Sequence, residues 1–232
     1  MDKKNDMIKK MIIDNSRRRT MPRYRRFLTV PICLSILLSA IGSYAEEEIE
    51  DLVDVFESNR KIIAVIEKRT FTSNLRSKEK VLWSDSDGYL GAFLTNERFF
   101  VISTSSGAWK YLPLKSDESK GVASLSPYIA LLVAGDRAIV FNEVSNRFIE
   151  KRLPIQDELL TAKVERYVAV VVTSSRAFDF TTRTSAFNEI PFRGGETFEE
   201  IKATSSKATI RTSDRLLTFN AKSSTWNEHR LY

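Results

Sequence analysis

The chain has 232 residues and a formal net charge of +6, with 36 Lys and Arg against 30 Asp and Glu. It contains one cysteine and one histidine, which excludes a disulfide within the chain and a metal site built from several of these residues. Residues 1–45 hold ten Lys and Arg and three Asp, so the rest of the chain holds 26 basic and 27 acidic residues. The basic excess belongs to the N-terminal segment and does not indicate a nucleic-acid-binding domain.

The N-terminal segment has the three parts of a secretory signal peptide. Three arginines precede an apolar run at residues 27–41, and the sequence Ser-Tyr-Ala follows at residues 43–45. We predict export with cleavage after Ala45. The alternative is an uncleaved anchor, but the run is shorter than the roughly 20 residues of a membrane-spanning helix. A start at Met21 would give a leader of ordinary length, and Cys33 would be removed with it.

After the leader, one unit of 39 residues recurs without insertions. Four columns of residues share this interval, and a period near forty with strand-like runs is typical of β-propeller blades. The columns are Arg98, Arg137, Arg176 and Arg215; Tyr89, Tyr128 and Tyr167; Trp109, Phe148, Phe187 and Trp226; and Leu114, Leu153, Phe192 and Leu231.

The third unit shows the strands that each copy contains. Residues 128–133 are apolar throughout, as expected for a strand buried on both faces. Residues 137–141 form the next strand, and residues 148–153 alternate apolar and charged side chains as an outer strand does. A fourth, shorter strand precedes them, as at residues 160–164 of the next unit. The full units are residues 79–114, 118–153, 157–192 and 196–231.

An earlier unit at residues 50–75 fits the pattern with one residue deleted. Residues 52–56 align with a buried strand of the third unit, but Ile49, Leu52, Val53 and Phe56 also have the spacing of an amphipathic helix. Residues 46–58 are therefore read as either strand or helix. We predict an all-β domain at residues 46–232, a β-propeller of about five four-stranded blades whose first blade is incomplete. The polar fifth unit fits an end repeat that is exposed on one side.

The order of strands and turns in each unit resembles the repeats of quinone-enzyme-like and WD-repeat propellers over residues 50–232. The chain lacks the Trp-Asp pair of WD repeats, and Gly107 is replaced by Asn146, Ser185 and Ser224 in the later units. The resemblance implies a toroid with a central channel, a fold that hosts binding far more often than chemistry. The ring would close through side-chain packing, or the blades would pair with another copy or another protein.

The arginine column, extended to Arg60, has two interpretations. One is a ring of guanidinium groups that binds an acidic ligand or partner. The other, which we favour, is a structural role in which each arginine pairs with a turn carboxylate such as Glu97, Asp136 or Asp214. The aromatic column is interpreted as packing between blades.

Catalysis has weak support in the sequence. His229 has no partner at a suitable spacing and is interpreted as a surface residue. Asp85, Asp87 and Glu165 are candidate acids at the channel mouth, where a glycoside hydrolase would need paired carboxylates.

We therefore predict an exported, non-enzymatic protein-binding module or scaffold, periplasmic or secreted. It would use no cofactor, bind a protein and no nucleic acid, and contact membranes only through its export signal; homo-oligomer formation stays open. The alternative is a carbohydrate-active propeller, a lectin or a glycoside hydrolase.

Overall fold

Antiparallel sheets form almost all of the computed structural model, which describes residues 49–231. The predicted leader and its cleavage site lie outside these residues. Each sheet is a meander whose strands follow chain order. The structure confirms the predicted propeller of about five blades. Within residues 49–231, no helix has the length and hydropathy that crossing a bilayer requires.

Four of the blades have four strands each, and the first blade has three described strands. It consists of β1 (Val53–Ser58), β2 (Lys61–Ile66) and β3 (Arg69–Asn74). The second blade has β4 (Val81–Asp87), β5 (Leu90–Thr95), β6 (Arg98–Ser103) and β7 (Lys110–Pro113). The third has β8 (Val122–Ser126), β9 (Ile129–Ala134), β10 (Arg137–Asn142) and β11 (Arg147–Arg152), preceded by a short 3₁₀ helix at Glu118–Lys120. The fourth has β12 (Leu159–Val164), β13 (Val168–Thr173), β14 (Arg176–Thr181) and β15 (Ala186–Pro191). The fifth has β16 (Phe198–Thr204), β17 (Lys207–Thr212), β18 (Arg215–Asn220) and β19 (Thr225–Arg230).

The first blade resolves the choice between strand and helix near its start. Residues 53–58 form strand β1, which pairs with β2 along its whole length. At the 38-residue offset of this unit, β1 corresponds to β5, the second strand of a complete blade. Among the described residues, the first blade therefore lacks the inner strand that β4, β8, β12 and β16 supply to the others.

The second strands show why the sequence has continuous apolar runs. Strands β5, β9 and β13 are buried at every position, because both faces of each sheet are covered by neighbouring blades. Strand β17 instead alternates, with Ala208 and Ile210 buried and Lys207 and Arg211 exposed. The fifth blade is covered on one face, as predicted for an end repeat.

The turn between the third and fourth strands of a blade contains a glycine in the second blade and a different residue in the other three four-stranded blades. All four equivalent residues have a left-handed backbone: Gly107 at φ 54°, Asn146 at φ 50°, Ser185 at φ 50° and Ser224 at φ 55°. Short polar residues tolerate this region better than branched ones. The turn geometry is therefore retained although the glycine is not.

Apolar clusters join consecutive blades and form the core. Two clusters lie between the first and second blades, and one lies at each later junction up to the fourth and fifth. Each member of the predicted aromatic column packs against one of these junctions, which confirms its structural role. Within residues 49–231, no such cluster joins the fifth blade to the first. The described blades therefore form a series in which the outer faces of the first and fifth blades are covered by no other described blade.

The first blade lies very close to the second. A Cβ atom on Gly91 of β5 would lie 2.4 Å from Val55 Cγ1 and 2.8 Å from Val53 Cγ1. Only glycine permits β1 to approach β5 this closely.

The buried strand β13 provides a test of the fold. Val170 is 1% exposed in the cluster between the fourth and fifth blades and stands opposite Asp179. Val170→Asp should cost several kcal/mol, because it buries a second carboxylate beside that acid, and should abolish the cooperative melting transition. The control is Val144→Asp, at a loop residue that is 64% exposed, which should melt like wild type. Equal melting of both variants would contradict the strand assignment.

Candidate functional site

Four arginines of the column, those of the second to fifth blades, each begin the third strand of their blade and pair with an acid in the loop before that blade. In the second blade, Arg98 donates from Nε to Glu79 Oε1 at 3.0 Å and from Nη2 to Oε2 at 2.5 Å. The acid is always 19 residues before the arginine, so the acids form a column of the same period. The pairs are Glu79 with Arg98, Glu118 with Arg137, Asp157 with Arg176, and Glu196 with Arg215.

The same carboxylates hold the loops between blades. Glu79 accepts a hydrogen bond from the backbone N–H of Arg76, three residues earlier, at 2.9 Å. Glu118 and Glu196 accept the equivalent bonds at 2.7 Å and 2.6 Å. The hydroxyl of Thr95 also donates to Glu79, at 2.7 Å. Each glutamate thus fixes the loop conformation and the position of its arginine together.

Two of the arginines also connect neighbouring blades. Arg98 Nη2 donates to the carbonyl of Asn74, the last residue of the first blade, at 3.1 Å. Arg215 Nη2 donates to the carbonyl of Pro191, the last strand residue of the fourth blade, also at 3.1 Å. The column is therefore part of the junctions between blades.

These contacts shift the pKa values of the paired glutamates and arginines. Burial opposes the charge of Glu196, but hydrogen bonds from Arg215, from the Arg193 N–H and from Thr212 outweigh it and lower the pKa to about 2. Opposing effects of the same kinds leave the pKa of Glu79 and Glu118 below the usual value. The hydrogen bonds to Glu196 and Glu228 raise the pKa of Arg215 despite its burial.

The fourth blade departs from this geometry because its acid is shorter. Asp157 has one methylene fewer than glutamate, and its Oδ2 lies 3.8 Å from Arg176 Nε. The residue three positions earlier is Pro154, which has no N–H to donate. Asp157 instead accepts hydrogen bonds from the hydroxyls of Thr173 and Ser175. The Arg176 side chain is 32% exposed, compared with 3% for Arg215.

The prediction that the arginines of the column pair with Glu97, Asp136 and Asp214 was wrong. Each arginine side chain points back toward the loop before its blade, and not toward the turn that precedes its own strand. Those turn acids have other partners: Glu97 pairs with Arg76, Asp136 with Lys115 and Arg152, and Asp214 accepts a hydrogen bond from Ser213.

Arg60 differs from the other arginines. It is exposed, in a turn where Asn59 and Arg60 both have positive φ, and the position 19 residues earlier is Ile41. Internal pairing supports the structural role for Arg98, Arg137 and Arg215, and binding of an acidic partner by the column stays a prediction.

The predicted channel-mouth acids lie on separate blades. Asp85 and Asp87 belong to β4, and Glu165 follows β12. The inner strand β8 of the third blade packs between these two strands. Enclosure by the surrounding protein and the charge of Asp51 raise the pKa of Asp85, although the Ser86 N–H opposes this.

Tyr89, Tyr128 and Tyr167 form a ladder at the first hairpin turn of three successive blades. The ring centroids are 5.0 Å and 5.3 Å apart, and the second pair is stacked at 21°. Burial and the hydrogen bond with Tyr89 raise the pKa of Tyr128. The sequence showed these residues as a column, but their mutual contact required the structure.

Asp179 of β14 is a buried acid that the sequence analysis missed. It accepts hydrogen bonds from Trp226 Nε1 at 2.5 Å and from Asn188 Nδ2 at 2.9 Å. Burial raises its pKa to about 6, against these two bonds. The sequence did contain a sign of this residue, because the equivalent positions in the two preceding blades hold the apolar residues Val101 and Val140. It connects the fourth and fifth blades.

The remaining polar groups form no metal centre in the described part of the chain, where no cluster of three His, Cys, Asp or Glu could hold an ion. His229 is exposed in β19, opposite Leu216. A cavity of about 200 Å³ lies between the first two blades and includes Leu52, Phe71 and Gly107 in its lining. It contains none of the predicted channel-mouth acids.

Comparison with known proteins yields similarities in structure alone. No protein-family model matches the chain, and no curated protein matches it. A crystal structure of HIRA(644-1017) has a TM-score of 0.43 and 15% identity, covering 66% of this chain and 52% of that one. Prp20p from Saccharomyces cerevisiae has a TM-score of 0.41 and 6% identity, covering 69% and 54%. PorZ, a surface component of the type-IX secretion system of Porphyromonas gingivalis, has a TM-score of 0.39 and 10% identity, covering 77% and 26%. The chain spans about half the length of the HIRA fragment.

The arginine column can be tested by comparing its members. Arg215→Ala should destabilise the protein by about 3–5 kcal/mol, because it leaves the buried Glu196 carboxylate without its cationic partner. Arg176→Ala should cost less, since Arg176 is 32% exposed and its Nε lies 3.8 Å from Asp157, and Arg60→Ala, at an exposed residue, should leave the melting temperature nearly unchanged. Calorimetry of the three variants gives this order. Equal melting of Arg215→Ala and Arg60→Ala would contradict the structural role.

The lowered pKa of Glu196 predicts a pH dependence. Its carboxylate stabilises the fold fully above its ordinary pKa of 4.5, and this contribution is lost as the pH falls from there to about 2. The stability difference between wild type and Glu196→Gln should shrink by about 3 kcal/mol over that window. Urea unfolding of both proteins at pH 7, 4 and 2.5 measures it. A difference that stays constant with pH would show that Glu196 is not held by Arg215.

Proposed function

We propose that this chain is an exported, non-enzymatic propeller that binds another protein in the periplasm or outside the cell. The arrangement of residues 23–45 supports export. Balanced charge after residue 45 favours a protein partner over nucleic acid. The most regular polar groups support a structural role, since the glutamates and arginines of the column satisfy one another within the blades.

The fifth blade ends in a polar face. Lys207, Thr209 and Arg211 of β17 point away from the fourth blade, whereas Ala208 and Ile210 between them pack into the core. A polar outer face is how a terminal repeat stays soluble without a neighbour. This end of the propeller therefore needs no partner.

The first blade ends differently, and this observation carries the proposal. Phe56 is 54% exposed and stands opposite Ile63 of β2, with Val65 on the same face. Both isoleucine and valine are partly exposed. An outer face with an exposed aromatic and two partly exposed branched apolar residues marks an interaction surface.

Purification from the native host tests export and binding together. A C-terminally tagged chain should be recovered from the envelope or the medium with Glu46 as its first residue and with a stoichiometric protein partner. Phe56→Glu should abolish capture of that partner, because it places a charge on the apolar end face. Thr209→Glu, on the polar end face, is the matched control and should retain it.

Three outcomes would contradict the proposal. Met1 or Met21 at the N-terminus of the recovered protein would refute cleavage. Recovery from the cytoplasm would refute export. Recovery of a pure monomer after mild cross-linking, or equal capture by the two variants, would refute binding through the first blade.

A further inference from the structure

The cavity of about 200 Å³ between the first two blades is not used by the proposed protein-binding function. Its lining combines apolar side chains with one carboxylate, one guanidinium and one hydroxyl. We call it the junction cavity. Ligand sites in proteins have this composition, in which a mostly apolar surface carries a few polar groups that fix the orientation of the ligand.

The junction cavity is associated with an unusually short turn in the first blade. The turn between β2 and β3 has two residues, Glu67 and Lys68, whereas the equivalent turn of the second blade has six, residues 104–109. The longer turn therefore has no turn of matching length beside it in the first blade. Gly107 of that turn adds no side chain to the space, and a Cβ atom there would lie 3.5 Å from the Phe71 ring.

At the later junctions, a side chain bridges the two blades at this level. In each case a side chain of one blade donates to a backbone carbonyl in the last turn of the next blade. These donors and acceptors are Lys110 with Asn146, Asn142 with Thr182, and Arg183 with Lys222. Within residues 49–231, no side chain of the first blade donates to a carbonyl of residues 104–109. The first junction thus has a cavity where the later junctions have a polar bridge.

Apolar residues of the first blade line part of the junction cavity. The Leu52 N–H donates to the Gly88 carbonyl of the second blade at 2.8 Å, which fixes Leu52 across the junction. Ile66 and Phe71 belong to the apolar cluster that joins the two blades. Leu52 is 37% exposed although it lines the cavity. An apolar group that entered the cavity would therefore remove apolar surface from water.

Two opposite charges line the same cavity without pairing. Glu67 has φ 56° in its two-residue turn, a conformation for which glycine is the usual residue. Arg69 lies on the same face of β3 as Phe71, two residues later. Both charged side chains are exposed, and within residues 49–231 neither of them forms an ion pair or a hydrogen bond. A carboxylate and a guanidinium are therefore both available to a ligand in the cavity.

The geometry points to a binding site for a free α-amino acid with an apolar side chain, such as leucine. Arg69 pairs with its carboxylate, Glu67 pairs with its ammonium group, and its side chain contacts Leu52. A ligand with a single charge would satisfy only one of the two groups. The volume of about 200 Å³ suits a molecule of this size, since sites for drug-sized ligands are larger. This inference goes beyond the proposed function, because the cavity lies between the blades and not on the outer face that carries Phe56.

Three small probes test the inference. They are L-leucine, L-leucinamide, which lacks the carboxylate, and N-acetyl-L-leucine, which lacks the ammonium group. Titrations followed by amide NMR shifts use the full chain and the chain that begins at Glu46, at about pH 6.5, where the α-amino groups are mostly protonated. Leucine should shift the Thr104 and Gly107 amides in both chains and should bind about tenfold or more tightly than either analogue.

Two variants assign each charge to its partner, and a third is the control. Arg69→Gln should weaken leucine binding about tenfold and leave leucinamide binding unchanged, because only the carboxylate contact is lost. Glu67→Gln should weaken leucine binding by a similar factor and leave N-acetyl-leucine binding unchanged. Lys68→Gln, in the same turn but outside the cavity lining, should bind all three probes like wild type.

Each alternative gives a different result that would overturn the inference. Equal binding of leucine and N-acetyl-leucine would indicate a site for the C-terminus of a protein, and equal binding of leucine and leucinamide a site for an N-terminus. Leucine binding by the chain that begins at Glu46 but not by the full chain would assign the cavity to the N-terminal segment. Unchanged Thr104 and Gly107 amides with all three probes would show that the cavity binds none of them.

The amino-acid site and the proposed function can fail separately. Phe56→Glu, which should lose the protein partner, should bind leucine like wild type, because Phe56 lies on the other face of the first blade. Arg69→Gln should still capture that partner. Absence of any partner in the host would refute the proposed function and leave the leucine titrations as an independent test of the cavity.

Discussion

The constraint on which the structure depends is that each middle blade is apolar on both faces and must be covered by its neighbours. Strands β5, β9 and β13 have no exposed position, so none of the middle blades could be soluble alone. Stability is therefore shared along the series, and each junction matters as much as each sheet. The Glu–Arg pairs lie at these junctions, where Arg98 and Arg215 reach the last strand of the preceding blade. A buried pair of this kind adds little net stability relative to apolar packing, but it fixes one arrangement of the groups that it joins.

The fourth blade shows what happens when one member of that arrangement changes. Asp157 is too short for a bidentate contact, and Pro154 cannot donate the loop hydrogen bond. The arginine is more exposed as a result, although the strands of the blade are unchanged. Backbone pairing and apolar packing thus determine the blade, whereas the ion pair positions the loop between blades. Trp226 and Asp179 supply an additional polar contact between this blade and the next.

The sequence predicted the blades well because their signals are local and repeated. The 39-residue interval located every strand after residue 79, and the polar fifth unit indicated a free face. Strand β1 was ambiguous because Leu52, Val53 and Phe56 fit two periodicities, and pairing with β2 decided between them. The partners of the arginines were missed although Glu79, Glu118, Asp157 and Glu196 have the same interval. The period identifies a column, but the direction of a long side chain from the start of a strand depends on the loop that it meets.

The outer faces of the first and fifth blades differ in polarity. At the fifth blade, polar residues on alternate positions of β17 make a face that water can cover. At the first blade, Phe56 is exposed and Ile63 and Val65 are partly exposed on the face that lies away from the second blade. A partner that bound this face would extend the series of covered faces by one step. The polar face of the fifth blade offers no equivalent site. Association would therefore occur at one end alone, which favours a complex of defined size over an open-ended fibre.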